Sequence, residues 1–456
     1  MSPLLLSLGA VVVPLLVIPF LSALRRVEAR WFAGAASVIS LVLSSSAAVA
    51  FLLDVRSAAM PFGTTLLHAD ALTVTVGPAI AATCVALILG VSSAELEGRF
   101  LRGVLALQAA GIGSLVAGGP LALVFFELLS AGALVFLVGG RRGGRATGMA
   151  MGLVTVLLVV AIGLDPDAAL TSWAEASSMV SPGLVVPVLL AAVLLRLSVA
   201  PFGTWSAAAS MGTNSTHALP ALLPLGGVAI AARWLHPLLA HTSQDWVLRL
   251  PTLLLLMTAI TAAMTLVQRD GMRALAFTLA AVQGLVLVAI LDPEPLGHLG
   301  GELMWGSSLV AGAGFGMAVH GARSRLGSLD LGRFSGLDGT APRLGSAVLI
   351  FGLALAGLPG SVEFIAQELL LNAGISRTLP GLLVGACVAA LLGYQNLRLY
   401  FRVFHGPDPW GRPGDLLPRE VVALGPLAAL LLAGGVAPGL VPLMRVAQAA
   451  AGHAPL

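Results

Sequence analysis

Apolar runs of roughly 18 to 25 residues, the length that crosses about 30 Å of hydrocarbon, recur from end to end of this 456-residue sequence with short loops between them. In hydrocarbon every backbone N–H and C=O must be satisfied within the protein, so runs this long and without period-two alternation fold as helices. The composition agrees, with 58% hydrophobic residues, 10% charged residues and a mean hydropathy of +0.98. The sequence therefore predicts an all-α polytopic membrane protein, a single transmembrane domain over 1–456. Its fourteen spans run over about 3–23, 31–53, 72–92, 101–117, 119–139, 147–164, 184–202, 218–239, 248–267, 273–291, 301–320, 344–371, 379–404 and 420–446. The first run follows Met1-Ser2-Pro3 without a basic n-region and reads as a retained helix rather than a cleaved signal.

Arginine placement orients these spans. Arg25, Arg26, Arg141, Arg142, Arg323, Arg325 and most others fall in loops on one side, whereas the opposite side holds only Arg56, Arg233, Arg249, Arg377 and Arg445. The positive-inside rule then places both termini away from the cytoplasm, with a bacterial plasma membrane as the expected location. All 24 basic residues are Arg, so the chain contains no Lys. A guanidinium stays protonated in protein environments, whereas a lysine amine shifts its pKa and hands on a proton. Cys84 and Cys387 lie in apolar runs, where a thiol is a small hydrophobe, and a zinc or other metal site is not expected. The net charge of +3 gives no reason for a nucleic-acid partner. With no flavin, iron–sulfur or nucleotide motif, no catalytic site or cofactor is expected of the chain itself. Any redox chemistry then belongs to partners.

Two stretches break the helical pattern. Leu194 to Arg233 carries Arg196 in an apolar helix that breaks at Ala200-Pro201-Phe202-Gly203. Gly357-Leu358-Pro359-Gly360 breaks the twelfth span and is followed by Glu363 and Glu368. Proline removes a donor and clashes with the preceding turn, so membrane helices tolerate it where protein or a watery cavity re-satisfies the backbone. Broken helices with intramembrane charge point to an ion path. Glu127 is a single carboxylate inside the fifth span, and an uncompensated carboxylate there must be neutral, paired or wetted. Each feature also has a structural reading: Glu127 satisfying a neighbouring backbone, Arg196 and Glu127 as a fixed ion pair, or Glu363 and Glu368 solvated in a loop. His217, Glu302 and His320 complete the set of ionisable candidates. Glu302 near a helix start and His320 at an interface are equally readable as solvated groups.

The run R-x-x-x-A-P-F-x-x-W at Arg196–Trp205 resembles the K-x-x-x-x-P-F-H-x-W segment of the antiporter-like subunits of respiratory complex I and of Mrp-type cation/proton antiporters. Glu127 resembles that family's intramembrane glutamate. Gln268 to Phe277 looks like its Q-x-D-x-K-R-x-L-A-Y turn, with Met272 where the family has Lys. His298 and Glu302 fall on its H-x-x-x-K pair. Gly357 to Gln367 resembles its G-x-P-x-x-x-x-F-x-x-K/E segment, with Gln367 at the ionisable position and Glu368 one residue later. The run from Arg398 to Gly406 and the run from Asp415 to Pro426 resemble the complex I subunit M type, and the lateral helix of the subunit L type is not seen.

The resemblance implies two inverted five-helix repeats, approximately 101–239 and 248–404, with breaks at Pro201 and Pro359. It also implies a proton path through a central row of ionisable residues. Here that path must use Glu127, His217, Glu302, His320, Glu363 or Glu368 with water, because Arg196 stands in place of a titrating Lys. The implied function is a membrane subunit of a proton-translocating complex, complex I-like (NADH-quinone oxidoreductase) or hydrogenase-like, partnered by other membrane subunits and the bilayer. The alternatives are the membrane partner of a proton-coupled inorganic-carbon uptake system, or a non-conducting scaffold.

Overall fold

The computed structural model describes residues 2–53, 62–63, 67–92, 96–139, 143–169, 171, 173, 182–210, 225–240, 245–373, 379–407 and 414–445. Helices α1 (Pro3–Val17), α2 (Arg26–Leu53), α3 (Ala71–Gly90), α4 (Gly98–Val116), α5 (Pro120–Val138) and α6 (Gly144–Leu164) come first. The first break separates α7 (Pro182–Leu197) from α8 (Thr204–Ser210). Then follow α9 (Leu225–Ala240), α10 (Asp245–Leu266), α11 (Gly271–Ile290) and α12 (Pro295–Leu326). The second break lies between α13 (Pro342–Leu355) and α14 (Val362–Leu371), ahead of α15 (Leu379–Phe404) and α16 (Pro418–Val436). Among the described residues, ten helices are long and apolar enough to cross a membrane, and three shorter apolar ones accompany them. In the polar stretch before α3, Phe62–Gly63 pairs antiparallel with His68–Ala69.

A helix that is apolar all round belongs inside the bundle. α11 meets this description, with every residue from Ala274 to Ile290 buried. α12 lies beside it and packs against α3, α11, α13, α14 and α16. Its glycines make that crowding possible: a Cβ on Gly314 would fall on the Phe351 ring, and one on Gly352 would come 2.9 Å from the Phe315 ring. The two helices therefore interlock ring into gap at a close crossing. Peripheral helices turn Trp31, Val42, Leu153, Val159 and Val436 outward, an apolar exterior suited to lipid.

Both breaks have their freed backbone groups satisfied by protein. At the first, where the Ala200–Pro201 peptide is cis and Ser198 has φ 60°, the Trp205 indole donates to the Leu195 carbonyl at 2.8 Å. The Ala200 N–H, which has no helical acceptor, donates to Thr261 Oγ1 of α10 at 2.9 Å. At the second, Asn396 of α15 donates to the Gly352 carbonyl at 2.6 Å. Gly357 and Gly360 take φ +87° and +88°, a region that costs side-chain-bearing residues energy, and the Ser361 hydroxyl caps α14 by accepting from the Phe364 N–H. The turn that the sequence marks at Gln268–Arg273 is a structural joint, since Asp270 caps α11 by accepting from the Met272 and Arg273 N–H groups. On the same arginine-rich face Arg325 pairs with Glu420 at 2.8 Å, and Asp415 accepts from the Arg343 and Leu344 N–H groups at the start of α13.

Thr261→Val, which keeps the shape and removes the acceptor, should leave the Ala200 N–H buried without a partner and cost about 1–3 kcal/mol. Thr261→Ser keeps the acceptor and should stay close to wild type. Thermal unfolding of both variants, followed by tryptophan fluorescence, checks this. Equal midpoints for Val and Ser would show that the break does not depend on the hydroxyl.

Candidate ion-path site

Glu127 is positioned by the rotation of α5. Phe126 is buried and occupies the space that a Cβ on Gly113 of α4 would fill, while Phe125 is 62% exposed on the other face. Seven residues into a 19-residue helix, Glu127 sits about 10 Å from its start. Arg196, at the last turn of α7 before the break, brings its Nε to 3.5 Å from Glu127 Oε2, with side chains 0% and 2% exposed. Its Nη2 donates to Ser130 Oγ at 2.5 Å, one turn beyond Glu127 on α5. The floor of this site is the Gly226–Gly227 pair of α9. A Cβ on Gly226 would overlap the Glu127 carboxylate, and one on Gly227 would lie 3.0 Å from Arg196 Cγ. The pairing expected from the cost of burying either charge alone is therefore present. Ser130 and the two glycines carry no charge and belong to no motif, so no signal in the sequence marks them.

The remaining candidates that lie among the described residues are spread over α12 and α14. Glu302 lies on α12 with its Oε1 3.4 Å from His298 Nε2, an i,i+4 pair whose side chains are 14% and 23% exposed. Glu363 of α14 is fully buried, accepts a hydrogen bond from Ser307 of α12 and contacts Gln367 one turn on. Gln367 in turn rests against Gly357, where a Cβ would collide with its amide. Ser307 follows Glu302 by five residues, about 140° round the helix, so Glu302 and Ser307 point to different sides of α12. Glu368 is exposed on α14. His320, at the far end of α12, lines a cavity of about 150 Å³ together with Ser92, Ser324, Arg419 and Glu420. His217 lies outside the described residues. Pro201 and Pro359 stand at the two breaks and are both exposed.

A second charged network stands where the sequence shows only an isolated arginine near the end of a span. Arg233 forks onto Asp70: Nη2 donates to Oδ1 at 2.9 Å and Nη1 contacts Oδ2. The same guanidinium donates to the Thr73 hydroxyl at 3.1 Å and the Leu115 carbonyl at 2.7 Å, and it lies 3.0 Å from His68 Nε2. One side chain thus ties α9 to the start of α3 and the end of α4. Asp70, the N-cap residue of α3, also accepts from the Thr73 N–H, which the helix dipole favours. Burial alone would raise the Asp70 carboxyl, but Arg233 beside it and His68 hold it well below the usual carboxylate range.

A carboxyl with a lowered folded-state pKa contributes stability that is fully present above its unfolded pKa, near about 4, and is lost as the pH falls through the folded value. Asp70→Asn should therefore lower stability by about 2 kcal/mol at neutral pH, the figure for a buried pair reduced because the Asp70 side chain is 33% exposed. The gap between wild type and variant should close only below about pH 4. Thermal midpoints from pH 3 to 8 check this, and a gap that does not change with pH would contradict the linkage.

Residues 146–393, more than half of the chain, match the family model described as NADH:quinone oxidoreductase/Mrp antiporter, TM. The subunit M of NADH-quinone oxidoreductase from Mycobacterium tuberculosis is 31% identical over 173 residues, 38% of this chain and 31% of that protein. The subunit N from Gemmatimonas aurantiaca is 26% identical over 371 residues, 75% of this chain and 71% of that protein. The match to the subunit M relative thus spans about a third of its length. Among solved structures, respiratory complex I from Thermus thermophilus with bound NADH contains a chain that superposes with a TM-score of 0.80 at 21% identity, over 98% of this chain and 99% of that one. The membrane-bound sulfane sulfur reductase, an archaeal respiratory membrane complex, contains another, with a TM-score of 0.80 at 19% identity over 96% of this chain and 76% of that one. On this match and this fold, the chain belongs to the NADH:quinone oxidoreductase/Mrp antiporter transmembrane family.

Proposed function

We propose that this chain is the antiporter-like membrane subunit of a proton-translocating respiratory assembly, complex I-like or hydrogenase-like and quinone-linked, with a lysine-free proton path. The observation that carries the reading is the buried Arg196–Glu127 pair at 3.5 Å in a chain of this family. An ion pair in mid-membrane is costly to build and serves best where its field acts on a nearby ion route. Arg196 acts there as a fixed positive charge, since it holds its proton. Proton transfer is left to Glu127, His217, Glu302, His320, Glu363 and Glu368 with water, and Glu363 is the buried acid next to the second break. Gln367, which cannot titrate, lies one turn beyond this acid on α14.

In this reading the chain crosses the membrane fourteen times with both termini outside the cytoplasm. Two inverted repeats, approximately 101–239 and 248–404, carry the breaks at Pro201 and Pro359. What supports it is that each break is relieved by donors or acceptors from a neighbouring helix, Thr261 in one and Asn396 in the other. Partners are other membrane subunits of the assembly, and electron transfer belongs to them. The scaffold reading draws on the same ion pair, because a guanidinium and carboxylate locked together also join two helices without moving a proton.

Proton flux in proteoliposomes containing the purified assembly decides between the two. Glu127→Gln, which leaves Arg196 without its counter-charge, should lower flux by tenfold or more, about 1.4 kcal/mol in barrier terms. Arg196→Lys restores a titratable cation and should change the pH dependence of flux. A wild type that conducts equally with and without Glu127 would remove the central row from the mechanism. A wild type that does not conduct would favour the scaffold.

A further inference from the structure

At the face of the termini, His236 near the end of α9 and His298 near the start of α12 stack with ring centroids 4.0 Å apart and planes 22° from parallel. His298 Nδ1 lies 2.7 Å from the Ile290 carbonyl. A carbonyl only accepts, so Nδ1 carries a hydrogen and Nε2 is the atom that gains or loses a proton. That atom faces Glu302 Oε1 at 3.4 Å. His236 lies near the backbone of Asp292, in the turn between α11 and α12. Both rings are half-buried, which leaves each a route to water. Immediately before His236, residues Ala231–Leu235 form a π-turn, a geometry concentrated at functional sites.

The charges around the stack are defined. Arg233, one turn before His236, is held by Asp70 and touches His68, so its positive charge is fixed and largely compensated. Glu302 of α12, with Asp292 and Glu294 of the preceding turn, are the acids on the α12 side, and α14, packed against the start of α12 at Gly300, adds the buried Glu363 and the exposed Glu368. α7, which also packs against α9, presents no titratable side chain before Arg196 at its far end. Two imidazolium rings in face contact repel, so protons bind the pair in two separated steps that belong to the pair and not to either ring.

We propose that the His236–His298 stack is a one-proton port at the outer face: His298 exchanges a proton with Glu302, and His236, by competing for charge in the same contact, sets the pH at which the port blocks. His236 is a positioning residue acting through His298. When the second proton binds at low outer pH, His298 Nε2 is protonated in every state of the pair, so it accepts nothing from Glu302 and transfer stops. The role in transport rests on the proposed proton translocation, whereas the coupled titration does not.

Two measurements separate these. Histidine-selective NMR of the full chain in nanodiscs reads the titration: wild type should show His298 responding in two steps, and His236→Phe, which keeps an aromatic ring in the stack, should collapse them to one. Flux in the reconstituted assembly as a function of outer pH reads the role: with the competing charge gone, His298 holds its proton to higher pH, so His236→Phe and His236→Gln should both shift the acid-side loss of flux by about one pH unit or more to higher pH, with thermal midpoints near wild type. Independent single-step titration of His298 in wild type overturns the inference whether or not the assembly conducts. So does a flux profile in which neither variant moves the acid limb. Absence of wild-type flux with coupled titration intact overturns the transport role and the proposed function together, and leaves the one-proton stack standing.

Discussion

A guanidinium and a carboxylate taken out of water into hydrocarbon each cost several kcal/mol, and the cost is recovered only if they meet in good geometry. That requirement accounts for the centre of the N-terminal half of this protein. α5 must turn Glu127 inward, so Phe126 enters the gap at Gly113 and Phe125 faces out. α7 must end where Arg196 reaches both Glu127 and Ser130. α9 must come close enough to exclude water, so it presents Gly226 and Gly227 where any side chain would displace the pair. The cation at this position is a guanidinium, which keeps its proton, and its carboxylate partner lies 3.5 Å away. Conduction, if it is to cross this region, has to pass around the guanidinium.

The same economy of polar groups governs the breaks. A backbone opened inside a membrane exposes donors and acceptors that no water reaches. The side chains that restore them, Trp205, Thr261 and Asn396, come from across the break or from the next helix. Each break is therefore a joint between helices, and its stability is a property of the bundle. The two faces are closed in a similar manner by arginine forks, Arg233 on Asp70 at one and Arg325 on Glu420 at the other. The largely buried helices α11 and α12 run between these closures.

Much of the architecture was legible in the residues because the bilayer imposes a length and a polarity on each segment. Runs such as 71–90 and 271–290 are unmistakable, and the prolines mark where they fail. The Arg196–Glu127 pairing was also legible, since each charge has so few acceptable environments. What escaped was chemistry that depends on proximity across the chain. Arg233 looks like one isolated arginine near the end of a span until the fold lays it on Asp70, 163 residues away. His236 lies in a terminal turn of a helix and acquires meaning only when α12 brings His298 onto it. Ser307 is one of many buried serines until Glu363 bonds to it. Glu302 and Glu363 look like successive members of one row in sequence, yet Glu302 and the Ser307 partner of Glu363 project from different sides of α12.

Glu127 and Arg196 form a single electrostatic unit. A stability double-mutant cycle on Glu127→Gln, Arg196→Met and the combined variant tests this most directly, because removing one partner strands a buried charge while removing both does not. Each single variant should lose about 3–5 kcal/mol, and the double variant should regain most of that loss and lie closer to wild type than either single. Additive losses in the double variant, with no coupling energy between the two positions, would show that the two residues act separately and would contradict the account.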